Sequence, residues 1–311
     1  MKQGSGEDET GATKVITPDR YHAEMQPVFE RVRPRVGLVA LLDERERASA
    51  KGTAAFTRIG DKRLVLTARH VVRVEAEHDT PALRAFTPLR VRLMVFPRSG
   101  GTKASSVPVG FDLTEADICW EDLRLDVIAF TAPTSLVASG LCDFEDGESD
   151  AKVTAVIRER YTVRNDDQNS LATFVIGFPN VTHRVDEATK LEWLGLLPLP
   201  AYITTMERHA WNGEGGQAPQ FIMELDPSNV APDAPTELQV DAASWRTTLL
   251  KSVEAGERPP LGGFSGAPVF IAHQHGVSIV GVMKEGAPSF GVRVTAAGSC
   301  WDDVVAGLLR G

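Results

Sequence analysis

The sequence predicts an all-β protein, a barrel or a sandwich, and two observations carry that expectation. Short apolar runs of β-forming residues recur along the chain, each bounded by Gly, Pro, Asn or Asp. Helical periodicity is confined to three places: near the N-terminus, ahead of a glycine-rich serine segment, and at the C-terminus. The 311 residues allow one large domain or two lobes, with ample material for a core.

Composition excludes several classes. Hydrophobic content of 42% and charged content of 24% are those of a globular protein. A net charge of −9, with no basic stripe, argues against nucleic acid or an anionic membrane as the main partner. No apolar run approaches the roughly 20 residues of a membrane helix. The polar, acidic start MKQGSGEDETGAT lacks the apolar core of a signal peptide, so a cytoplasmic location is expected. Cys119, Cys142 and Cys300 have no metal-like spacing and are expected to be free thiols.

In chain order, residues 1–16 read as a disordered tail and Thr17–Arg33 as a helix. Thr17 is its candidate cap, Pro18 suits the first turn, and Pro27 is a possible kink. Val36–Leu42 begins the sheet region. Thr53–Ile59 and Arg63–Thr67 form a hairpin around Gly60-Asp61, followed by a tight helical turn that holds His70. Strands are expected at Val91–Phe96, Val107–Leu113 and Val127–Phe130. Asp143–Asp150 reads as an acidic linker. Further strands are expected at Val153–Ile157, Thr173–Phe178, within Leu194–Ile203, and at Phe221–Leu225. Residues 226–240 read as a loop and Asp241–Val253 as a helix capped by Asp241. Strands Pro268–Ala272, Val277–Met283 and Phe290–Thr295 precede a C-terminal helix at Ser299–Leu309.

The chemistry centres on Gly262–Phe270, GGFSGAPVF. Serine is a poor nucleophile unless a base removes its proton and donors hold the resulting oxyanion. Gly263, free of a Cβ, is able to turn its N–H toward a substrate carbonyl, and Gly266 lets the chain pass close behind Ser265. His70, placed by the apolar strand Leu64-Val65-Leu66, is the candidate base. The orienting carboxylate is assigned to Asp126, which opens the run Asp126-Val-Ile-Ala-Phe; Asp117 and Asp122 in the preceding loop are its competitors. His273 and His275 form an H-x-H pair without a third ligand nearby, and read as turn residues rather than a metal site. No cofactor signature is read.

The order His70, Asp126, Ser265 differs from the order in subtilisin-type and α/β-hydrolase chains, and Ala267 departs from the G-x-S-x-G elbow. Thr67-Ala-Arg-His70, Asp126-Val-Ile-Ala and Gly263-Phe-Ser-Gly-Ala-Pro268 resemble the three signature segments of trypsin-like (chymotrypsin-fold) serine proteases. Ile176-Gly-Phe-Pro179 is similar to a segment of bacterial and HtrA-like members, although no PDZ domain follows. The likeness runs from about Val36 to Leu309.

The resemblance implies two six-stranded antiparallel β-barrels with a cleft between them. Residues 36–150 would form the first, with His70 and Asp126. Residues 151–311 would form the second, with Ser265 and an insertion within 180–258, and residues 1–35 would be a tail and helix. It implies a serine endopeptidase working through an acyl-enzyme on a protein or peptide substrate. Gly263 and Ser265 would supply the oxyanion hole, and Gly281–Gly286 an edge strand for the substrate. The alternative is a silent, protease-fold binding protein.

One departure bears on control. Phe264 stands where secreted members carry an aspartate that pairs with a freshly cut N-terminus. Regulation is therefore expected from a protein partner, an insertion or a loop rearrangement, with 180–258 as a candidate gate.

Overall fold

The structure, a computed structural model, describes residues 18–42, 48–73, 89–96, 108–163, 171–178, 184–185, 192–193, 196–206, 220–225, 247–252, 254–255, 261–273, 276–286 and 294–311. It is mostly β, as expected, with two β-rich lobes and helices at the start, middle and end.

The first lobe contains β1 (Val36–Leu42), β2 (Ala48–Ile59), β3 (Lys62–Ala68), β4 (Arg90–Val95), β5 (Val109–Thr114), β6 (Ile118–Asp122) and β7 (Val127–Thr131). Its sheet runs β5-β4-β1-β2-β3-β7-β6, with the two-residue β8 (Glu145–Asp146) paired alongside β2. The two edge strands, β5 and β6, are joined by a single 3-10 turn, Glu115–Asp117. The sheet must therefore curl until its edges approach. No β5–β6 ladder closes it among the described residues, so this lobe is a curled half-barrel sheet, consistent with the double-barrel architecture that was expected.

The second lobe is the closed six-stranded barrel that was expected. Its order is β12 (Leu197–Thr205), β13 (Gln220–Leu225), β16 (Val294–Cys300), β15 (Gly276–Gly286), β14 (Pro268–His273) and β9 (Leu171–Gly177). A separate two-stranded ribbon pairs β10 (Arg184–Val185) with β11 (Glu192–Trp193).

The continuous apolar runs follow from sheets buried on both faces, where the period-2 alternation sends successive residues into different cores. On β3, Val65 faces the first-lobe core while Leu64 and Leu66 face a shared core between the lobes. On β9, Val175 fills the barrel interior while Phe174 and Ile176 enter the same shared core. The two lobes are thus joined by apolar surface contributed by both.

Helix α1 (Pro18–Val32) lies close to its predicted span and brings Phe29 and Val32 into the shared core. The hairpin is confirmed, with Ile59 opposite Lys62 and Gly60 at φ 56° in the turn. Helix α2 (Arg69–Val72) is the short turn that carries His70, and α3 (Thr134–Ser139), not anticipated, ends at Gly140 with φ 65°.

The acidic linker and the strand at Val153–Ile157 are both overturned. Gly147–Val163 is a 17-residue helix, α4. The β-branched residues Val153, Thr154, Val156 and Ile157 suggested a strand locally, but tertiary packing prevails. Asp146 Oδ1 accepts from the backbone N–H groups of Glu148 and Ser149 at 3.0 and 3.3 Å, satisfying orphan donors of the first turn. Val153 and Ile157 then pack on the barrel.

Residues 247–252 form α5, inside the predicted 241–253 helix, and Asp241 lies outside the described residues. The last strand among the described residues is β16, which shares Val294 and Thr295 with the predicted Phe290–Thr295 and runs on to Cys300; residues 290–293 lie outside the described residues. Its sequence VTAAGSC is poor in typical strand formers, yet all seven residues are buried. Small residues are required because the Phe221 ring lies across Gly298 and Gly281, where any Cβ would strike it. Ser299 and Cys300 belong to this strand, and α6 starts at Trp301 and ends at Arg310.

Arg35 is fully buried, bonded to Glu145 (3.0 Å) and Asp150 (2.7 Å), with its guanidinium 5.3 Å from the Phe270 ring centroid. A buried arginine is tolerable only with such compensation. Among the described residues, Cys119, Cys142 and Cys300 form no disulfide. No helix among the described residues is long and apolar enough to cross a membrane.

Candidate active site

The site is assembled by three turns. In the first, β3 ends at Ala68 and the chain enters α2, putting His70 at the lip of the first lobe with its side chain 47% exposed. In the second, Asp122 Oδ1 accepts from the N–H groups of Arg124 (2.7 Å) and Leu125 (3.0 Å), tightening the β6–β7 connection. Asp126 closes that connection at φ 52°, the single non-glycine residue with positive φ among the described residues. Left-handed backbone is strained for a side chain with a Cβ, and here it is over-determined by bonding. The Asp126 carbonyl accepts from Arg69 N–H (2.9 Å), and its carboxylate accepts from His70 N–H (2.9 Å).

The third turn carries the serine. Gly263 and Gly266 have φ values of 92° and 86°. Phe264 is fully buried in the barrel core, so its ring pins the loop from beneath. A Cβ on Gly266 would land on Thr53 O and Thr67 Oγ1, which explains the glycine behind Ser265. The Ser265 carbonyl accepts from Thr53 N–H at 2.8 Å, and Gly266 N–H donates to Met283 O at 2.8 Å.

These turns bring His70, Asp126 and Ser265 together. Asp126 Oδ2 is 2.6 Å from His70 Nδ1, and His70 Nε2 is 2.9 Å from Ser265 Oγ. An ionised carboxylate only accepts hydrogen bonds, so Nδ1 carries the imidazole proton and Nε2 accepts from the serine hydroxyl. His70 titrates above its ordinary 6.5. Desolvation is the largest single influence and pulls downward. The hydrogen bond and charge of Asp126, with the charge of Glu285, outweigh it, while Lys284 opposes them.

Within the serine loop, Phe264 N–H donates to Leu261 O (3.1 Å) and Ala267 N–H to Phe264 O (2.8 Å). The Gly263 carbonyl accepts from Thr53 Oγ1 at 2.7 Å. The amides of Gly263 and Ser265, the expected oxyanion donors, donate to no group among the described residues.

The two competing aspartates have structural places instead. Asp117 forms a capping box with Thr114, and Asp122 holds the turn ahead of Asp126. The expected substrate edge narrows. Gly281 and Val282 are paired with both β14 and β16, and Met283 bonds Ala267 and Gly266 while facing Gly298. Lys284–Gly286 is what remains beyond those two-sided pairings. Thr53 was missed from sequence; its hydroxyl donates to Gly263 O and accepts from Phe178 N–H (3.0 Å), and nothing local marks it as a contact between lobes.

His273 ends β14 and its Nε2 lies 3.0 Å from Ser278 Oγ, so it is part of a strand rather than a solvated turn; His275 lies outside the described residues. Cys300, Asp302 and Asp303 cluster with metal-ligand spacing. Arg158, however, lies 2.7 Å from each carboxylate, and burial pushes the Cys300 thiol up to about 12. That cluster is an ion pair tying α4 to α6. Pro179, Glu257-Arg-Pro-Pro260 and most of the proposed 180–258 gate lie outside the described residues.

No protein-family model matches the chain, and no curated protein matches it. Among solved structures it is similar to the Rv3671c protease in its inactive form, at 15% identity and TM-score 0.45, covering 93% of this chain and 94% of that one. The active form from M. tuberculosis gives 15% and 0.45, covering 98% and 93%. The MamO protease domain from Magnetospirillum magneticum, apo form, gives 11% and 0.45, covering 88% and 96%.

Proposed function

We propose that the chain is a serine endopeptidase. The observation that carries this reading is the unbroken relay from Asp126 Oδ2 through both ring nitrogens of His70 to Ser265 Oγ, at 2.6 and 2.9 Å. The relay fits nucleophilic acyl transfer. Ser265 Oγ bonds to the carbonyl carbon as its proton passes to His70 Nε2, and Asp126 stabilises the imidazolium. The N–H groups of Gly263 and Ser265 take the oxyanion. On collapse the C–N bond breaks, and His70 gives its proton to the leaving amine. Water, deprotonated by the same imidazole, then releases the acid and restores the hydroxyl.

The substrate is a peptide in extended form, laid beside Lys284–Gly286, the continuation of β15. Incubating wild-type and Ser265→Ala protein with a diverse peptide library tests the reading. Cleavage products are expected from wild type alone; the same products from both proteins, or turnover of simple esters but no peptide, would overturn it.

A further inference from the structure

We propose that Lys284 and Ser299, on neighbouring strands of the second lobe, are positioning residues that hold the Asp126 turn of the first lobe against His70. The inference rests on the proposed acyl-transfer reading and deepens it.

Two consecutive carbonyls precede Asp126, and each is taken by a different second-lobe side chain. Lys284 Nζ donates to Arg124 O at 3.1 Å, and Ser299 Oγ donates to Leu125 O at 2.6 Å. The two donors are neighbours, because Val282 pairs with Ser299 and the β15–β16 register shifts between Met283 and Glu285, where Lys284 sits. The opposite face of the turn is held by Asp122 through the N–H groups of the same two residues. A backbone forced to φ 52° at Asp126 is thereby gripped from both sides, and one side belongs to the other lobe.

A lysine is an expensive way to make one hydrogen bond. Lys284 is 6% exposed, and an apolar side chain would fill the same space without the desolvation cost. Its charge lies in the field of Asp126, Glu285 and Asp122, and burial dominates, drawing its pKa below the ordinary lysine value. The charged groups acting on His70 are Asp126 and Glu285, which favour the imidazolium, and Lys284, which disfavours it. Lys284 therefore helps keep His70 in the neutral, base-competent form while steadying the carboxylate that orients it. Lys284 also opens the proposed substrate edge, so one residue borders both the peptide and the turn that carries Asp126.

The test compares wild type, Lys284→Met, Lys284→Arg and Ser299→Ala by fluorophosphonate labelling rate and by NMR titration of His70. Lys284→Met is expected to slow labelling on the order of tenfold, with the His70 midpoint moved up because a cation has left its surroundings. Ser299→Ala should slow labelling without that upward move, and Lys284→Arg should retain most of the rate. Should Lys284→Met fail to fold, the Arg and Ser299→Ala proteins carry the comparison. Folded variants that label at the wild-type rate with an unmoved His70 midpoint would overturn the inference. A wild-type protein that never labels, combined with a raised His70 midpoint in Lys284→Met, would support the clamp and reject the hydrolytic reading.

Discussion

The hydroxyl of Thr53, on β2 of the first lobe, donates to the carbonyl of Gly263 in the serine loop of the second, at 2.7 Å. The same oxygen accepts from Phe178 N–H, and the Thr53 carbonyl accepts from Thr67 Oγ1 at 2.7 Å. One residue thus fixes the peptide that follows the proposed oxyanion donor and ties it to the strand leading to His70. The lobes are joined at the reacting groups as well as through apolar burial.

Thr53→Val keeps the shape and removes the hydroxyl, leaving the Gly263 carbonyl and the Phe178 N–H without their partner. A loss of about 1–3 kcal/mol in unfolding free energy is expected, with slower acylation of Ser265. Thr53→Ser should restore both. Denaturant melts and labelling rates check this, and a Val variant as fast as wild type would remove Thr53 from the account.

Gly266→Ala must place a Cβ on Thr53 O and Thr67 Oγ1 while holding φ at 86°. Both terms oppose folding, together by about 3 kcal/mol. The serine loop should shift and labelling should be lost even at temperatures where the protein stays folded, which thermal melts run beside the probe would show.

The pH dependence follows from the raised His70 pKa. As the proposed base, His70 needs Nε2 unprotonated, so kcat/KM is expected to rise with pH through a midpoint above 6.5. For stability the sign is opposite. Proton uptake by His70 favours the folded state fully below the unfolded value, and that contribution fades as pH rises through the folded one. The half-exposed ring keeps it small. Asp126→Asn removes both raising influences of that carboxylate, so the midpoint should fall as kcat drops by about 10⁴. Rate profiles measured from pH 5 to 9 test both statements.

Asp150→Ala strands the buried Arg35 guanidinium, with only the half-exposed Glu145 left to it. Breaking such a pair costs about 3–5 kcal/mol, whereas Arg35→Met combined with Asp150→Leu should recover most of the loss. Chemical denaturation of the three proteins checks the ordering.

The relay was legible in the sequence because each member carries a local mark: His70 after an apolar strand, Asp126 at a strand start, Ser265 among glycines. The hairpin was equally legible from Gly60-Asp61. What escaped depended on the fold as a whole. Helix α4 looked like linker and strand because its β-branched residues meet their partners only on the barrel. Strand β16 was hidden by small residues chosen to clear the Phe221 ring. Thr53, Lys284 and Ser299 act across the lobes, and their partners lie 210, 160 and 174 residues away along the chain. Spacing along a sequence cannot announce such contacts.

Intact-mass measurement after exposure to a fluorophosphonate tests the central claim most directly. One adduct per chain, mapped to Ser265 and absent from Ser265→Ala and His70→Ala proteins, is the predicted result. A folded wild-type protein that remains unmodified, or one modified equally without His70, would contradict it.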